Sequence, residues 1–172
     1  MIRLIAGLAL ALCTTAPSYA TTCDLTFTVE VTQGVGFIRP GTQLPGRAVY
    51  TTDGRSFRQE GGSTGHLAQG AMTLGDDIEG RIWTLITTSR GHAADLVGVY
   101  ARDVEGFSFA GVDFEGPMAL TLFGEPGTRA DATVPTSQAE WDQMDVRRSF
   151  SLQAHGVDML AGEVLDLAVQ CS

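Results

Sequence analysis

The sequence predicts an all-β chain: an antiparallel, jelly-roll-like β-sandwich of about ten strands, with one short helix near residues 138–145. Three observations carry that expectation. Apolar and polar residues alternate in several segments, at the period of two that marks a half-buried strand. Glycine, proline and acidic residues separate these segments at short intervals, as turns do in sandwiches and barrels. A single segment breaks the alternation, and it carries a helix-start signal.

The alternation is clearest at the front. Leu25, Phe27, Val29 and Val31 fall on one face of a strand over 24–33, and Thr26, Thr28, Glu30 and Thr32 on the other. Arg39-Pro40-Gly41 and Leu44-Pro45-Gly46 read as turns. Arg47–Thr52 reads as a strand, with Asp53-Gly54 as a hairpin signal and Arg55–Gln59 returning. Further strands are expected at 67–74, 81–88, 96–102, 106–114 and 118–123. Ser137 and Glu140 then fit a capping box, in which each side chain satisfies a backbone donor at the helix start. Trp141 and Met144 are three apart and share a helical face. The expected helix lies over an open end or edge of the sheets. Alternation resumes at Phe150, Leu152 and Ala154. A last strand over 162–170 turns Leu165, Leu167 and Val169 inward.

Residues 1–20 have the three parts of a secretory signal: Arg3, an apolar run from Leu4 to Cys13, and Ser18-Tyr19-Ala20 before the cut. The run is about half the ~20 residues that a membrane span needs, so a cleaved leader and no later span are expected. Residues 21–172 then form a single domain. Losing Arg3 takes the formal charge from −9 to −10. Such a surface disfavours nucleic acid and anionic lipid. The chain has neither lysine nor asparagine, which points to a GC-rich bacterial genome and a periplasmic or secreted address.

Cleavage leaves two cysteines, Cys23 and Cys171, an even count for an oxidising compartment, and a disulfide is expected. Cys23 shares parity with Leu25, Phe27 and Val29, and Cys171 with Leu165, Leu167 and Val169. Antiparallel pairing of the first and last strands would set Cys23 opposite Cys171, Leu25 opposite Val169, Phe27 opposite Leu167 and Val29 opposite Leu165. Each is a same-face apolar pair. A bridge between two facing sheets also satisfies parity.

Candidate chemistry is sparse. Gly61-Gly62-Ser63-Thr64-Gly65 matches G-x-S-x-G, but a nucleophile elbow needs a strand before the serine and a helix after it. The residues after Ser63 alternate instead, so a glycine loop is expected. His66, His92 and His155 each adjoin a glycine, without metal-ligand spacing. Asp76, Asp77 and Glu79 form the strongest calcium candidate, since calcium takes six to eight oxygen ligands. They lack an EF-hand or nonapeptide pattern, so neither a metal nor a cofactor is expected, and no catalytic residue is assigned. Trp83, Tyr100, Phe107 and Phe109 are aromatics that could stack on a sugar, but they lie in expected strands and are assigned mostly to the core.

Phe27–Thr32 reads F-x-V-x-V-T. Pro40-Gly41 is followed by Gly46 and Tyr50-Thr51, and Ala130–Thr136 precedes the helical segment and two closing strands. In this order of features the chain resembles the secreted bacterial β-sandwich proteins of unknown function associated with PEP-CTERM sorting tails. No Pro-Glu-Pro, hydrophobic helix or basic tail follows Cys171, so sorting by such a tail is not expected. The resemblance implies a secreted sandwich and no catalytic residues.

The function expected from sequence is a secreted or periplasmic non-enzymatic binding or structural module, with a protein, glycan or surface component as its partner. The competing expectations are a hydrolase acting on a glycan or ester through Ser63 or loop carboxylates, and a calcium-stabilised adhesion module.

Overall fold

The computed structural model describes residues 20–89, 92–154 and 157–172. All of the expected leader but Ala20 lies outside these residues, as does His155. The elements are β1 (Thr21–Gln33), β2 (Gln43–Arg58), β3 (Thr64–Leu74), β4 (Ile78–Thr88), β5 (Asp95–Glu105), β6 (Ser108–Phe109), β7 (Val112–Asp113), β8 (Met118–Gly124), α1 (Gln138–Asp142), β9 (Arg147–Ala154) and β10 (Val157–Cys171).

Among the described residues the chain is all-β and antiparallel with one short α-helix, but it is not a sandwich. Strands β1 to β5 and β8 to β10 close into an eight-stranded barrel, and β6 and β7 form a small separate hairpin. Each barrel strand pairs with the next one in sequence, and β10 returns to pair with β1. A sandwich would divide the strands between two sheets with free edges, whereas here a single sheet closes on itself. Both architectures bury one face of every strand, so the same alternation serves either.

The junction of the two ends matches the expected register from Cys23↔Cys171 through Leu25↔Val169 to Phe27↔Leu167. A bulge between Thr28 and Val29 then sets Val29 opposite Val164. That shift turns Leu165 outward, to 43% exposure, against the expectation that it faces the core. Cys23 and Cys171 are bonded, with their Cα atoms 4.1 Å apart. Thr22 and Ser172 exchange two backbone hydrogen bonds of 3.0 and 2.9 Å beside them. The cysteines therefore occupy a non-hydrogen-bonded pair, where opposed side chains come closest.

An eight-stranded barrel is just wide enough for side chains to fill it. Leu25, Phe27 and Val29 of β1 meet Tyr50 of β2, Met72 of β3, Ile82 and Leu85 of β4, Val97 and Val99 of β5, Leu120 of β8 and Phe150 of β9 in one core. The Phe27 and Phe150 rings lie 6.2 Å apart. Each such side chain contributes roughly 1.5–3 kcal/mol when fully buried. Gly46, opposite Phe27, lies under that ring where any Cβ would collide with it. Pro45 and Gly46 thus lie within β2 and do not form the expected turn.

Two covers seal the ends. Val35 and Ile38, after β1, close one end with the β6–β7 segment, where the Phe107 and Phe114 rings are 4.8 Å apart. The segment expected as one strand over 106–114 is this short hairpin, outside the barrel wall. Residues 125–146 close the other end. There the capping box forms as expected: Ser137 Oγ accepts from the Glu140 amide (3.4 Å), and the Glu140 carboxylate accepts from the Ser137 amide (3.0 Å). Trp141 and Met144 are fully buried beneath it. The helix is shorter than 138–145 and ends at Asp142.

Candidate functional site: a groove on the barrel wall

The wall of the barrel is not regular. The β2–β3 register slips between Thr52 and Ser56, β3–β4 between Leu67 and Gly70, and β4–β5 between Ile82 and Thr84. These slips lie side by side across neighbouring strands. At the first, the chain bulges and runs on through β2, so Asp53-Gly54 is not the expected hairpin. The turn comes later, at Gln59–Ser63, where the Gln59 amide donates to the Ser63 carbonyl (2.9 Å). Bulges bend strands, re-aim side chains and recur beside binding sites.

The aligned bulges enclose a groove of about 660 Å³ on the outer wall. Trp83 is the unpaired residue of its bulge: Ile82 pairs with Ala101 and Thr84 with Tyr100, and nothing pairs with Trp83. Ile82 and Thr84 both turn inward and are buried, leaving Trp83 on the groove side with 37% exposure. The buried Thr84 hydroxyl donates to the His66 carbonyl (3.0 Å), satisfying an acceptor beside the slip in the β3–β4 ladder. Gly70, also at the bulge, permits close strand approach, because a Cβ there would collide with the Val49 carbonyl.

The groove is lined by Arg55, Arg81 and Arg102, with Asp53 as its acid. The Arg102 guanidinium carbon lies 5.4 Å from the centre of the Trp83 ring, a cation–π contact. A further bulge in β5 puts Asp103 at φ 53°, a left-handed conformation that aspartate tolerates. Its carboxylate accepts from Arg81 Nε (3.0 Å) and lies 3.7 Å from Arg102 Nε. Asp53 likewise accepts from Arg55 Nε (2.6 Å). Hydrogen bonding to Arg55 holds the Asp53 carboxyl below its ordinary value and raises the Arg55 guanidinium. Hydrogen bonds to Asp53 and Asp103 thus hold Arg55 and Arg81 in place on an exposed wall.

The serine, histidines and carboxylates singled out from sequence lie elsewhere or fail to converge. The Ser63 hydroxyl donates to Gln59 Oε1 (3.0 Å), and a strand follows it rather than a helix. The His92 ring approaches Gly62. His66 Nε2 lies 2.9 Å from both Thr87 Oγ1 and the Ala132 carbonyl, tying β3 to the end cover. Burial pushes the His66 ring below its ordinary pKa, the Ala132 hydrogen bond opposes that shift, and the Arg129 charge adds to it. Asp77 and Glu79 line a second trough of about 570 Å³ with Asp103 and Glu105, adjoining the groove through Gly70 and Arg81. Among the described residues no three His, Cys, Asp or Glu side chains come together in a way that would hold a metal ion. Asp76, Asp77 and Glu79 therefore do not assemble into a calcium cage.

Sequence reasoning names Trp83 among aromatics that could stack on a sugar but assigns it to the core, and the structure leaves it part-exposed. Alternation over Ile82-Trp83-Thr84-Leu85 reads equally well with Trp83 and Leu85 inward. The one available signal is the threonine at 84, a polar residue that the core accepts only with a hydrogen-bond partner.

Comparison with protein-family models, curated proteins and solved structures finds no match.

Proposed function

We propose that this chain is an exported, non-enzymatic barrel module that binds a saccharide in the outer groove at Trp83. One observation carries the reading: an indole at the unpaired position of a bulge, part-exposed among hydrogen-bonding side chains. A sugar ring has apolar C–H faces, which pack on an aromatic face, and hydroxyls, which need polar neighbours at the rim. Trp83 supplies the first, and Gln69, Asp53 and Arg55 supply the second. The barrel interior is filled by side chains, so the outer wall is the favoured place for recognition. The Cys23–Cys171 bridge fits a compartment outside the cytoplasm. Among the described residues no helix is long and apolar enough to cross a membrane.

The test is binding of residues 21–172 to an array of neutral and acidic oligosaccharides, followed by tryptophan fluorescence titration of the hits. Binding that Trp83→Ala abolishes, with the thermal melt unchanged, is the expected result. No binding to any arrayed sugar, or binding that survives Trp83→Ala, overturns the proposal.

A further inference from the structure

We infer that the groove selects an acidic saccharide, one whose carboxylate is read by Arg102; this rests on the groove being a sugar site. The chain is acidic, with 20 Asp and Glu against 11 Arg and Lys. Yet the groove lining reverses that balance, with three arginines and one aspartate. These arginines are not equivalent. Arg55 and Arg81 hydrogen-bond Asp53 and Asp103. Arg102 Nε stands 3.7 Å from Asp103, beyond hydrogen-bond reach, and its guanidinium makes the cation–π contact with Trp83. A guanidinium held over an indole loses freedom about its long stem, and its planar fork of N–H groups suits a planar acceptor. A carboxylate matches that edge with two parallel hydrogen bonds. The sugar ring that packs on Trp83 would carry its acid group to the neighbouring arginine.

The adjoining trough limits what kind of acid fits. Asp77, Glu79, Asp103 and Glu105 line it, with Glu79 directly opposite Glu105 across β4 and β5. A long polyanion laid along both depressions would meet this field of like charge. The geometry favours a short acidic sugar, or the acidic end unit of a chain.

The experiment uses trisaccharides of galacturonate, glucuronate and mannuronate, each beside its carboxyl-reduced neutral form, titrated calorimetrically into residues 21–172. At least one uronate is expected to bind tenfold or more tightly than its neutral form at low salt. The gap should narrow in ~0.5 M salt, since exposed charges are screened over a few ångströms there. Arg102→Gln should remove the gap, whereas Arg39→Gln, in the loop after β1, should leave it. Equal affinity for the paired sugars, or a preference that Arg102→Gln leaves intact, overturns the inference and spares the sugar groove. Failure of every uronate to bind also overturns it. The neutral half of the array then decides the groove separately, because neutral hits lost in Trp83→Ala keep it and none at all removes it.

Discussion

The side-chain amide of Gln138 hydrogen-bonds the backbone around Val169 as a neighbouring strand would. Its Oε1 accepts from the Val169 amide (2.7 Å), and its Nε2 donates to the Leu167 carbonyl (3.1 Å). The reason lies in the closure of the barrel. Strand β9 pairs with β10 only from Val157 to Glu163, so the later half of β10 has no β9 partner. An uncovered stretch of strand leaves donors and acceptors unmatched. The first residue of α1 supplies both partners, and Trp141 and Met144 fill the space behind it.

Replacing Gln138 with leucine keeps bulk but strips both hydrogen bonds from part-buried backbone. Leaving such groups unmatched costs about 1–3 kcal/mol. Urea unfolding of Gln138→Leu should show a lower midpoint at unchanged slope. Gln138 Nε2 also donates to Asp142 Oδ1 (2.8 Å), so Gln138→Glu, which sets a carboxylate against Asp142 and the Leu167 carbonyl, should also lower the midpoint. A Gln138→Leu midpoint equal to wild type would show that water serves this edge as well as the amide does.

The disulfide closes the barrel covalently where β1 meets β10. The bonded cysteines are 148 residues apart in sequence. In the chain-entropy model, a loop of that length gives about 5 kcal/mol, and measured gains commonly fall below the model. Cys23→Ala with Cys171→Ala should therefore lower the unfolding free energy by ~2–5 kcal/mol. The barrel signature in circular dichroism should persist at low temperature, because the flanking ladder of Thr22, Asp24 and Leu25 does not depend on the bridge. A double variant as stable as the parent would mean that the bridge constrains little.

Gly70 tests whether the groove depends on strand approach. A methyl group there collides with the Val49 carbonyl and Tyr50 Cα, both backbone atoms that cannot swing aside. Gly70→Ala should cost about 2 kcal/mol or more and widen the groove floor. The measurement is the shift in melting midpoint together with the emission maximum of Trp83, read in a Trp141→Phe background. No shift in either would remove Gly70 from the account of how the bulges are held.

The limits of sequence reading can be traced to particular residues. The pairing of β1 with β10 was legible because parity ties Cys23, Leu25 and Phe27 to Cys171, Val169 and Leu167. The helix was legible because its box, Ser137 to Glu140, is local. Closure of the sheet was not legible, since alternation reports that a face is buried and not what it is buried against. The bulges were hidden for the same reason. Each inserts one or two residues whose effect is seen only against the partner strand, as Trp83 is seen only beside Ala101 and Tyr100. Asp53-Gly54 was misread as a hairpin because a positive φ at glycine serves a bulge as well as a turn; Gly54 has φ 74°. Asp95 and Arg129 carried no sequence signal at all. Yet both are buried, with the Asp95 carboxylate accepting from the Arg129 amide (2.5 Å) and the Gly127 amide (3.3 Å) to fix the end cover.

His66 gives that cover a pH dependence whose sign can be worked out. Thr87 Oγ1 donates to the Ala132 carbonyl (2.5 Å), and His66 Nε2 lies 2.9 Å from the same oxygen. A carbonyl only accepts, so Nε2 carries the proton of the neutral ring, and further protonation falls on Nδ1. Burial, with Arg129 nearby, holds the folded pKa below the ordinary value of 6.5. Below that value the unfolded chain binds a proton that the folded chain does not. Stability is therefore full above about pH 6.5 and falls as the pH drops toward the lowered folded value, by at most ~1.4 kcal/mol per unit of pKa difference. His66→Gln should flatten this window while keeping a donor for Ala132. The carboxylates Asp24, Asp53, Asp131 and Glu140 are also held below their ordinary values. They lose stability only in the more acidic range, near pH 4 and under, and that loss should appear in both proteins. Chemical unfolding at pH 7.5, 6.0, 5.0 and 3.5 separates the two windows. Equal loss between pH 7.5 and 5.0 in the wild type and His66→Gln would assign the dependence elsewhere.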